Sequence, residues 1–100
     1  MNFPKSITIG NRKVPVKVVD YDTPGYVYTD DPQIEVSKNV DDSLQERRFI
    51  EGVMAATYDY LKMLNEMKSE VENPSELSDM AGMSLGAAIS KVLADNGLNK

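Results

Sequence analysis

A chain of 100 residues folds around a single hydrophobic core, and this one carries neither histidine nor cysteine. That composition excludes zinc held by imidazole or thiolate, a Ser-His-Asp or Cys-His catalytic centre, and any disulfide framework. The net charge of −5 argues against direct nucleic-acid binding, which needs Lys and Arg to displace phosphate counterions.

The apolar share of 41% and charged share of 27% suit a globular protein with no membrane span, and no apolar run approaches the ~20 residues such a span needs. Met1-Asn2-Phe3-Pro4-Lys5 lacks a basic-then-apolar leader pattern, and the absence of cysteine fits a reducing compartment, so a cytoplasmic location is expected. The chain reads as one domain over 1–100. Its character changes near Asp41, from β-branched residues and prolines to Met, Ala, Leu and Glu. This predicts an α+β fold: a small, mainly antiparallel sheet of four short strands within 5–37, then two helices packed on it.

Ser6-Ile7-Thr8-Ile9 alternates as a strand, and Val14 to Val19 is a second β-branched run. Gly10-Asn11-Arg12-Lys13 between them reads as a tight hairpin turn. Pro15 assigns the second strand to an edge, or itself to that strand's start. Thr23-Pro24-Gly25 is a turn, Tyr26-Val27-Tyr28 a strand with an aromatic face, and Asp30-Asp31-Pro32 another turn. Gln33 to Ser37 then places Ile34 and Val36 on one face.

Ser43-Leu44-Gln45-Glu46 has the spacing of a capping box and predicts a helix over 43–67. Ile50, Val53, Thr57, Tyr60, Leu61, Leu64 and Met67 form its apolar stripe. Glu51, Ala55, Tyr58 and Lys62 lie on a neighbouring stripe. Pro74-Ser75 opens a second predicted helix over 75–96, with Leu77, Ala81, Leu85, Ala88 or Ile89, and Val92 inward and Gly97 as its stop. Gly82 and Gly86 share a face that permits close packing; a break near Gly82, with Ser84 restarting the helix, is the other reading.

Little catalytic chemistry remains. Ser90 and Lys91 are adjacent and point apart on a helix, so they form no dyad. No phosphate-cradling Gly-x-x-x-x-Gly-Lys loop and no calcium-loop spacing occurs, so neither a cofactor nor enzyme activity is expected.

The order of short strands, an Ile-x-Val-Ser strand (Ile34–Ser37), and a helix reading Leu-Gln-Glu-Arg-Arg-Phe-Ile-Glu-Gly-Val-Met-Ala-Ala-Thr-Tyr (Leu44–Tyr58) resembles the small zincin-like metallopeptidase proteins of phages and prophages, distant relatives of the ImmA/IrrE type. The ending Val-Leu-Ala-Asp-Asn (Val92–Asn96) is similar too, and the resemblance covers about Ile7 to Asn96. That family places His-Glu-x-x-His on its first helix. In this register the positions read Ile50-Glu51-Gly52-Val53-Met54. Glu51 stands where the family's general base would be, and both zinc-binding histidines are replaced by apolar side chains. The resemblance therefore implies a pseudoenzyme that keeps the scaffold without its metal. A plain reading needs no ancestry: Ile50 and Met54 belong to an amphipathic helix, and Glu51 is a surface residue one turn from Arg47.

Leu77 to Ser84, followed by Ile89-Ser90-Lys91-Val92-Leu93, resembles a repressor helix-turn-helix, with Gly82 as the turn and Ser84 as a cap. Lys91 is the only cation of the would-be recognition helix, which argues for packing instead. The acidic pairs Asp20/Asp22, Asp30/Asp31 and Asp41/Asp42 read as solvated turn residues, or as phosphate mimics in an inhibitor of a nucleic-acid-binding protein. Five tyrosines and six methionines are many for so small a core. The expected function is a non-catalytic, phage-type protein-binding module. Its surface would hold Tyr26, Tyr28, Glu51, Met54 and Tyr58, and its partner would be a host or phage protein or a second copy of the chain.

Overall fold

The computed structural model describes residues 3–68 and 80–98. Strands β1 (Ser6–Ile9), β2 (Arg12–Val19), β3 (Tyr26–Val27) and β4 (Gln33–Ser37) are followed by helices α1 (Asp42–Lys68) and α2 (Leu85–Asp95). The four strands form one sheet in the order β1-β2-β4-β3, so the fold is α+β as expected.

Gly10 and Asn11 alone join β1 to β2, and Gly10 takes a φ of 61°. A two-residue connection between neighbouring strands makes that pair antiparallel. One pair is parallel: β2 runs alongside β4 with Val16 opposite Ile34 and Val19 opposite Ser37. β3 then pairs antiparallel with β4, with Tyr26 opposite Ile34, and so takes the sheet edge although it precedes β4 in the chain. Tyr28 lies just past β3.

Pro15 is in an interior strand, not at an edge or a strand start. The Val16 N–H donates to the Lys5 carbonyl at 2.9 Å, toward β1. Alternation along a strand therefore turns the Pro15 nitrogen away from β1. The ladder to β4 begins only at Val16, so no neighbouring strand asks Pro15 for a donor.

The contacts divide the chain into two compact units. The first comprises the residues up to Ile7 with Lys13–Ala56; the second comprises Thr8–Arg12 with the residues from Thr57 onward. In the first unit, Ile7, Val14, Tyr26, Ile34, Val36, Phe49, Val53 and Ala56 are buried. Helix and sheet approach closely at Gly52. A Cβ there would stand 2.8 Å from Ile34 Cγ2 and 3.2 Å from the Gly25 carbonyl oxygen. The Phe3 and Phe49 rings meet at 5.0 Å.

In the second unit, Ile9, Thr57, Tyr60, Leu61, Leu64, Met80, Ala88 and Val92 are buried. The Tyr60 hydroxyl donates to Asn11 Oδ1 at 2.7 Å and accepts the Asn11 N–H at 3.3 Å. The Arg12 guanidinium lies 5.3 Å from the Tyr60 ring centre, and its Nη1 is 3.4 Å from Asp59 Oδ2. The hairpin turn is thereby fastened through one buried aromatic side chain.

The helix ends differ from expectation. Asp41, not Ser43, caps α1: its Oδ1 accepts the Leu44 N–H at 2.8 Å. Ser43 lies inside the first turn, so the expected Ser43–Glu46 capping box is not the helix start. Along α1 the buried stripe includes Phe49 and Ala56, while Met67 is exposed. The second helix is shorter than 75–96. Residues 75–79 lie outside the described residues, 80–82 form a turn, and Gly82 adopts a φ of 89°. Ser84 then caps α2, its Oγ accepting the Ala87 N–H at 3.3 Å. Of the two sequence readings, the break at Gly82 is the one observed.

Candidate functional site

The first unit carries most of the expected surface. Tyr26 pairs with Ile34 in the sheet and is buried; Tyr28 is 63% exposed. Their rings meet edge to face with centroids 4.6 Å apart. The buried ring thus gives the exposed one a fixed seat, an arrangement aromatic quadrupoles favour. On α1, Ile50 is half-buried, Glu51 is exposed and Met54 is 43% exposed. The approach of Gly25 to Gly52 sets the start of β3 against the turn of α1 that bears Glu51. Tyr26 therefore supports the surface from below and is not itself on it.

The zinc that the resembling metallopeptidases hold does not fit these residues. Ile50 offers no lone pair, and the Met54 thioether is a poor ligand for zinc. Among the described residues, no three of Asp, Glu, His and Cys converge into a cluster able to hold a metal ion.

Two further features of this unit escaped the sequence reading. Glu35 is buried on the sheet face opposite Ile34 and Val36. Its Oε2 accepts the Tyr21 hydroxyl at 3.0 Å and Gln33 Nε2 at 2.7 Å. That bond from the Tyr21 hydroxyl, with partial desolvation and the nearby charges of Glu35 and Asp20, raises the Tyr21 pKa above the usual tyrosine value. The alternation Gln33-x-Glu35 was legible as one face. Nothing in the pattern said that a loop tyrosine would cover it. Beside this cluster, Asp22, Thr23, Ser37, Val40 and Arg48 line a small cleft of about 270 Å³. The Thr23 and Ser37 hydroxyls are engaged there with backbone groups.

All six aspartates of the acidic pairs are exposed. The Asp41 carboxylate is committed to the start of α1.

The second unit holds Tyr58, 53% exposed, at a cleft of about 360 Å³. Leu61, Met83 and Leu85 supply apolar lining, and Lys62, Asn65 and Glu66 supply polar groups. Tyr58 was anticipated from its place on α1. The cleft was not, because its far wall exists only where the chain breaks at Gly82 and restarts at Ser84. On α2 the exposed positions include Gly86, Ala87, Ser90 and Ala94, and Lys91 is paired to Asp95 at 3.0 Å. The helix carries no Arg, Asn or Gln, and its one cation is already paired, which leaves little with which to read base edges.

No described helix is long and apolar enough to cross a membrane. Comparison with protein-family models, with curated proteins and with solved structures returned no match.

Proposed function

We propose that this chain is a non-catalytic protein-binding module that binds and modulates a host or phage protein in the cytoplasm. The observation that carries the reading is Tyr28. A tyrosine this exposed, seated edge-on against a buried partner ring, offers a large rigid contact at low entropic cost. Exposed Met54 and Glu51, in the same unit, supply an adaptable apolar group and a charge for the rim. The scaffold would be that of a zincin-like metallopeptidase without its metal, with Ile50 and Met54 at the lost ligand positions. Support for that part is the resemblance together with the placement of Ile50, Glu51 and Met54 on a single helix. Tyr58, on the second unit, is not needed for this surface.

The test is affinity capture from a bacterial lysate with quantitative mass spectrometry. Wild type and a Tyr28→Ala/Met54→Ala variant are compared after circular dichroism has shown both folded. Partners retained by wild type and lost by the variant support the module. Equal recovery of the same partners sinks the surface.

A second reading, an acidic mimic of DNA phosphates, draws on the exposure of Asp20, Asp22, Asp30, Asp31, Asp41 and Asp42. Its partner would be a basic protein released by moderate salt, whereas an aromatic contact survives that wash.

A further inference from the structure

The cleft beside Tyr58 carries an arrangement of charge that matches itself. Lys62 and Glu66 lie one helical turn apart on α1, with opposite signs. No ion pair joins either to another described residue, whereas Lys91 and Asp95, at the same spacing on α2, close to 3.0 Å. Both charges therefore remain available on the cleft wall. Tyr58 and Leu85 are exposed beside them, so apolar area lies next to unspent charge.

A positive group followed one turn later by a negative group has a simple complement. It is the same helix run in the opposite direction. A two-fold axis passing beside α1 between these residues sets Lys62 of each copy opposite Glu66 of the other. Asn65, between them in sequence, carries amide donors and a carbonyl acceptor and so can meet its own copy. We propose that this face of α1 is a two-fold interface between two copies of the chain, closing over Tyr58 and Leu85 with reciprocal Lys62–Glu66 pairs. The proposal goes beyond the module reading: it uses the other unit and a different partner.

The experiment is sedimentation equilibrium of the full chain from micromolar to millimolar concentration. Lys62→Glu and Glu66→Lys each turn both reciprocal pairs into like charges, and each is expected to weaken dimerisation by about tenfold or more. The double variant Lys62→Glu/Glu66→Lys restores complementarity and dimerises as wild type does. An equimolar mixture of the two single variants forms a heterodimer that neither forms alone. Tyr58→Ala weakens association without altering the charge pattern, and circular dichroism confirms that every variant is folded. A wild-type chain that stays monomeric throughout overturns the proposal. Single charge variants that associate as well as wild type, or a mixture with no heterodimer, overturn it equally.

Discussion

Asn96 pairs with the backbone of Thr8 as a strand neighbour would: Oδ1 accepts the Thr8 N–H at 2.9 Å, and Nδ2 donates to the Thr8 carbonyl at 2.9 Å. The same side chain reaches the Val92 carbonyl at 2.7 Å, so it also closes the last turn of α2. One amide thus fastens a helix end to β1 in the second unit. Asn96→Ala removes three hydrogen bonds and is expected to cost about 1–3 kcal/mol in thermal or urea denaturation. Asn96→Asp does not rescue, because it sets a second oxygen against the Thr8 carbonyl.

The start of α1 gives a paired prediction. Asp41→Ala removes the cap from the Leu44 amide and should lower stability by about 1 kcal/mol. Ser43→Ala, inside the first turn, should leave the denaturation midpoint nearly unchanged. The reverse ranking would return the cap to the capping box.

Gly52 decides how closely α1 approaches the sheet. Alanine is the better helix former by about 1 kcal/mol. Here its methyl would meet the Gly25 carbonyl oxygen and the Ile34 side chain, and a backbone oxygen yields little. Gly52→Ala should therefore destabilise the chain by about 1–3 kcal/mol despite the gain in propensity. A stabilised variant in urea titration would show that the helix can shift outward freely.

Tyr21 gives a pH prediction. Its pKa is raised in the folded chain, chiefly by the hydrogen bond to Glu35, so folding favours the protonated phenol. That stabilisation is complete below the ordinary tyrosine pKa. It is lost as pH rises through the raised folded value. An alkaline titration followed by phenolate absorbance should show Tyr21 ionising above the ordinary tyrosine range. That step should move to lower pH in Glu35→Gln and vanish in Tyr21→Phe.

The local elements were legible because their signals are local. β-branched alternation placed the strands and the period around Tyr60 and Leu64 placed α1; the hairpin was expected to turn over Gly10-Asn11-Arg12-Lys13, whereas Arg12 and Lys13 already belong to β2 and only Gly10 and Asn11 turn. The strand order was not legible. Tyr26-Val27 pairs with the strand that follows it, while Val16–Val19 pairs with that same strand from the other side, and this choice rests on long-range packing. Tyr26 and Tyr28 looked equivalent at a spacing of two, yet the strand ends at Val27 and only the second ring reaches solvent. The cap was misplaced because Asp41 and Ser43 both qualify by residue type, and only the backbone path decides between them. The candidate surface was partly legible: Glu51, Met54 and Tyr58 are exposed as a helical face requires. The cleft beside Tyr58 depended on a chain reversal that a single glycine left ambiguous.

The proline in β2 has a consequence for how this chain survives in a crowded cell. Just ahead of Pro15, at Lys13, the side of β2 turned away from β1 has no strand partner among the described residues, because the β4 ladder starts at Val16. A stretch of backbone left open in this way is a template on which a foreign strand can dock and begin to aggregate. Pro15 faces that opening with a nitrogen that bears no hydrogen, and an intruder finds a missing bond where it would register. Replacing Pro15 with valine would suit the strand better and yet expose the chain to that intrusion.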